Sequence, residues 1–134
     1  EVDWVNASWF GGFGQPPDAQ TSTGAYLAQD LTGLWARAPY LHNGSVPTLR
    51  ALLDSSRRPP FFQLQGTDAA SYDPTDVGWR VGTPSTGQDP SAPRATRDLT
   101  YDTTLPGLSA SGHTYGDSLS NAERDDLLEY LKGL

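Results

Sequence analysis

A mainly α-helical chain, with a few short helices joined by long irregular loops, is what this sequence predicts. Two segments carry an apolar helical period behind a capping residue, and none carries a sustained alternation of the kind a half-buried strand shows. Fourteen glycines and 11 prolines break up the rest. Only 36% of the 134 residues are hydrophobic, so the core is small and one domain is the natural partition.

Residues 1–24 place Trp4, Trp9, Phe10 and Phe13 among Gly11, Gly12, Gly14, Pro16 and Pro17 without a period, and read as an aromatic arm that packs on something. Residues 26–43 are apolar in patches and are stopped by Pro39 and the Asn43-Gly44 pair, which predicts a loop with a short helical or extended element. Thr48 caps a helix over about 48–55, whose Leu49, Leu52 and Leu53 fall on one face and which Pro59-Pro60 terminate. From 59 to 104 the chain is expected to be mostly loop, with extended pieces near 61–65 and 77–81, lying against a larger body or forming a lid. Ser120 and Glu123 form a capping box, after which Leu127, Leu128, Leu131 and Leu134 trace one stripe, so the last helix runs about 121–132. No internal repeat is present.

The charge balance excludes one class of partner. Sixteen acidic residues stand against nine basic ones, and no basic cluster exceeds the Arg57–Arg58 pair, so a nucleic-acid footprint is missing. An acidic chain suits a basic redox partner. No stretch has the apolar length of a membrane span. The start at Glu1, without Met, reads as a processed or internal one. With no Cys there is no disulfide, no thiolate ligand and no Cys-x-x-Cys-His attachment of a c-type haem within these residues, and with no Met there is no thioether ligand.

Two histidines are therefore the strong nitrogen ligands to consider. His113 lies between Gly112 and Gly116, and glycine on both sides lets backbone approach a flat ligand closely, as an axial histidine over a porphyrin requires. On spacing alone, a surface-loop histidine near a helix start is the more ordinary reading. His42 follows Tyr40 and precedes a tight Asn43-Gly44 turn; a metal ligand, a hydrogen bond to a carboxylate such as a haem propionate, and a turn histidine packed for structural reasons all fit it. Asp68, Asp73, Asp76 and Asp89 do not follow a calcium-loop pattern and read as solvated loop residues.

The run LTGLWARAPYLHNGSVPTLRALLDSSRRPPFF resembles the segment of di-haem cytochrome c peroxidases in which a Pro-Tyr-x-His-Asn/Asp-Gly turn precedes a Thr-Leu helix start. Three further blocks, YDPTDVGW, YDTTLPGLSASGHTYGDSLS and AERDDLLEYLKGL, are similar in order and spacing to the carboxy-terminal region of the di-haem rubber oxygenases, and the likeness covers residues 25–134. It implies part of a cytochrome c-like haem domain that lacks its Cys-x-x-Cys-His segment.

The same resemblance implies that His113 is the distal axial ligand of a bis-histidine haem c attached to another chain, or to an upstream part of the same precursor. It places Tyr40, His42 and Tyr115 beside the cofactor, and gives the carbonyls of Arg37 and Pro39 to a calcium ion, with Arg37 standing where threonine is common. Alone the chain is not expected to be an enzyme. The implied role is a haem-pocket subunit or fragment of an exported, periplasmic or extracellular multihaem cytochrome in electron transfer. The alternatives are a fragment of a di-haem oxygenase or peroxidase, and a non-redox module that has lost the haem.

Overall fold

The computed structural model of the chain describes residues 30–134, so the aromatic arm expected over residues 1–24 lies outside the described residues. Among the described residues are three α-helices, α1 (Leu49–Leu53), α2 (Arg94–Leu99) and α3 (Asn121–Lys132). Five short strands accompany them: β1 (Phe61–Leu64), β2 (Tyr72–Asp73), β3 (Gly78–Trp79), β4 (Val81–Gly82) and β5 (Thr100–Asp102). Single 3-10 turns sit at Leu34–Ala36, Ser55–Arg57 and Ala69–Ser71.

The expectation of a mainly α chain is corrected by this structure. Helix accounts for 30% of the described residues and strand for 15%, and the strands form antiparallel sheets. The segment expected to be mostly loop holds the larger sheet, in the order β4-β1-β5, and a two-stranded β2-β3 ladder. The physical reason lies in β1. Pro59-Pro60 force extended backbone, and the aromatic pair that follows favours a pleated surface. Phe62 then pairs with Tyr101 across the ladder, and the two rings stack with centroids 5.0 Å apart and planes 5° from parallel. Phe62 is fully buried.

The helices follow the sequence more closely. Thr48 caps α1 by accepting from the Ala51 amide at 3.2 Å, but the helix ends at Leu53 rather than near 55. Asp54 leaves the helical conformation there and caps the following 3-10 turn through the Ser56 amide. At α3 both halves of the capping box form, the Ser120 hydroxyl accepting from the Glu123 amide and the Glu123 carboxylate from the Ser120 amide.

The main core joins both ends of the described chain. Leu49 and Ala51 of α1 meet Leu128 and Leu131 of α3, with Val46 and Val77 filling the space between them. Gly78 lets β3 run against this layer: a Cβ there would stand 2.3 Å from the Pro47 carbonyl oxygen. Tyr40 closes the core from the other side. Its backbone bridges to Val46, and its buried hydroxyl donates to the Leu34 carbonyl at 3.2 Å. α2, by contrast, buries none of its residues.

Candidate functional site

His113 stands on a surface loop that runs between β5 and α3. Gly107 and Gly112 take left-handed backbone conformations, with φ of 81° and 84°, and His113 follows with φ of 47°. Histidine tolerates this region better than most residues, yet it is sparsely populated and held only where surroundings determine it. The imidazole is exposed, edge-on to the Tyr115 ring at a centroid distance of 6.2 Å, and Tyr115 is 87% exposed. Gly112 has open space where a Cβ would lie.

Three contacts fasten this loop to the body. The Arg58 guanidinium donates to the carbonyls of Ala51 and Leu52 at the end of α1, both at 3.0 Å, and to those of Ala110 (2.7 Å), Gly112 (2.7 Å) and His113 (2.9 Å) in the loop. Asp117 accepts from the Ser55 amide at 2.8 Å and from its hydroxyl at 2.6 Å. These bonds, the hydroxyl first, hold the Asp117 carboxyl below its ordinary range. Arg124 of α3 donates to both the Leu53 and Gly116 carbonyls. An open cleft of about 440 Å³ lies along the loop, between Arg58, Pro60 and Ser109–Gly112.

The His42 turn reaches the same loop from the other side. Asn43 donates from its amide to the Gly107 carbonyl at 3.1 Å and the Ser109 carbonyl at 2.9 Å, while its own carbonyl accepts from the Tyr101 hydroxyl. His42 itself is exposed. Both histidine segments are thus tied to residues 107–113, though no group of three or more His, Asp or Glu side chains able to hold a metal occurs among the described residues. Arg37 and Pro39 are exposed, with the Arg37 guanidinium on the Thr32 carbonyl. Tyr40, named with them, is placed in the core, where burial, and then the neighbouring Tyr72, push its phenol well above its ordinary range.

What this arrangement offers chemically is one outward imidazole on a fastened backbone. That fits an axial nitrogen ligand to a planar metal group approaching from outside, because the glycine beside it leaves room. It does not fit covalent haem attachment, which needs a thiolate pair that the sequence lacks. Arg58 and Asn43 were not legible as site residues: their acceptors are backbone carbonyls, which leave no mark in a sequence.

Residues 25–63 match the family model described as RoxA-like, cytochrome c-like. The chain carries a RoxA-like, cytochrome c-like segment. The RoxA-like segment contains Arg37, Pro39, Tyr40, His42 and Arg58, and spans the Pro-Tyr-Leu-His-Asn-Gly turn and the Thr-Leu helix start, whereas YDPTDVGW, YDTTLPGLSASGHTYGDSLS and AERDDLLEYLKGL lie outside it. His113 and Tyr115 lie beyond it, joined to it through Arg58 and Asn43.

Two relatives from Sinorhizobium fredii resemble the chain over a longer stretch. The uncharacterized protein y4iM is 41% identical over 123 residues, covering 80% of this chain and 27% of the relative. The uncharacterized protein y4iJ is 36% identical over 120 residues, covering 82% and 18%. The chain therefore spans about a quarter or less of the curated relatives it matches. Among the described residues no helix is long and apolar enough to cross a membrane.

Proposed function

We propose that this chain completes the pocket of a haem c whose covalent attachment is made by another polypeptide segment, and that His113 supplies the distal axial nitrogen. The observation that carries this reading is the outward imidazole of His113 on a loop fastened to the RoxA-like segment. With a histidine on each side the haem iron would be six-coordinate and suited to electron transfer, since no position would be left open for oxygen or peroxide. The chain's own part is to hold the imidazole oriented, and to cover one face of the ring plane. Tyr115, edge-on to the imidazole, and Gly112, with open space at its Cβ position, are the neighbours that would border it.

In this reading His42 does not ligate; it belongs to the turn that braces the loop through Asn43. A calcium ion held by the Arg37 and Pro39 carbonyls, and an exported location, belong to the same reading and rest on the resemblance. The experiment is the electronic spectrum of the haem-bearing assembly with and without His113→Ala. A six-coordinate low-spin spectrum that becomes high-spin in the variant supports the assignment, whereas an unchanged spectrum removes it.

A further inference from the structure

Arg58 makes an unusual set of contacts. All five of its N–H donors are used, and every acceptor is a backbone carbonyl: two at the end of α1 and three in the loop that ends at His113. The α1 carbonyls belong to the last turn, where no intrahelical donor remains for them. The loop carbonyls of Ala110 and Gly112 accept from one terminal nitrogen and that of His113 from the other, and carbonyl dipoles aimed at one guanidinium repel one another unless that cation lies between them. Gly112 and His113 are also the two successive residues in left-handed conformations.

We propose that Arg58 is a positioning residue for His113. Its planar fork draws the loop carbonyls inward, and this turns the His113 side chain outward and limits it to one orientation. The inference rests on the axial-ligand reading only for its consequence, because the positioning itself can be measured without haem. Lysine cannot replace arginine here, since an ammonium offers three donors from a single atom and cannot span carbonyls on two segments. Its neighbour Arg57 is a suitable control, being exposed and directed at Asp54 instead.

The test compares the full chain with its Arg58→Lys and Arg57→Lys variants by backbone 15N relaxation. In the unmodified chain and in Arg57→Lys, residues 110–115 should show order parameters near those of a rigid backbone, about 0.85, and in Arg58→Lys they should fall below about 0.6 while α3 is unchanged. The His113 Cα shift should at the same time lose its left-handed character. In the haem-bearing assembly, Arg58→Lys should give a mixed-spin spectrum that added imidazole converts to low-spin. An unaltered loop in Arg58→Lys overturns the proposal, as does equal loss of order in the loop and α3, which would make Arg58 a general structural residue. Where His113→Ala does turn the spectrum high-spin, a wholly low-spin spectrum in Arg58→Lys despite a loosened loop also overturns it. If His113→Ala leaves the spectrum unchanged, it is the ligand reading that falls, and the relaxation data still report on the loop.

Discussion

A Cβ atom placed on Gly116 would stand 2.3 Å from the carbonyl oxygen of Leu53 and 2.9 Å from its Cα. The loop that carries His113 therefore lies directly on the end of α1, with backbone against backbone and no side chain between them. Gly116→Ala must push the two apart. We expect a loss of about 1–3 kcal/mol, the usual cost of overpacking, read as a lower urea midpoint with an unchanged slope.

Asn43 makes a prediction of opposite chemistry at the other side of the loop. Its side-chain amide donates to two carbonyls, those of Gly107 and Ser109. Asn43→Asp sets a carboxylate oxygen against both. Leaving such acceptors unpaired costs about 1–3 kcal/mol, and because the lost contacts lie in the loop, residues 107–109 should become more exposed to limited proteolysis. Equal stability and equal cleavage would contradict the bracing role.

Acid should loosen the same seat. The folded Asp117 carboxyl titrates below the ordinary aspartate value of 3.8 because the Ser55 hydroxyl and amide bond the charged form. A carboxyl depressed on folding contributes stability that is present above its unfolded pKa and lost as pH falls through the folded one. The contribution is thus intact at pH 5 and decays below pH 4, about the unfolded value. Asp117→Asn should flatten the pH dependence of the unfolding midpoint in that window. An identical acid limb in both proteins would show that the Ser55 contacts do not form in solution.

The stacked pair in the sheet gives the largest expected change. Phe62 is 1% exposed and lies parallel to Tyr101 on the neighbouring strand. Phe62→Ala should cost about 3–5 kcal/mol, as for other buried aromatics, and thermal unfolding monitored by circular dichroism measures it. A loss under about 1 kcal/mol would mean that the β4-β1-β5 sheet is not part of the cooperative core.

How much of this was legible follows from the range of the interactions. The ends of α3 could be read because Ser120 and Glu123 cap it locally and its leucines recur at helical spacing. The extended pieces expected near 61–65 and 77–81 hold β1, β3 and the start of β4, but β2, β5 and the pairing into sheets could not be read, since β1 finds β5 about forty residues later and strands of two to four residues hold too few side chains for alternation to show. α2 was missed for a related reason: with no buried residue it has no apolar stripe. At the candidate site, Gly112 and Gly116 on either side of His113 announced a special loop; Gly112 does adopt positive φ, but Gly116 does not and packs instead against the Leu53 backbone. The fastening of that loop by Arg58 was invisible, because Arg57 and Arg58 look alike in a sequence and only their carbonyl and carboxylate partners separate them.

The central claim is that His113 is a distal haem ligand, and the spectrum of the haem-bearing assembly tests it most directly. With His113→Ala the low-spin bands should give way to a five-coordinate high-spin spectrum, and added imidazole should restore them, while His42→Ala leaves the spectrum as it was. A low-spin spectrum that survives His113→Ala, or one that His42→Ala abolishes instead, would contradict the account.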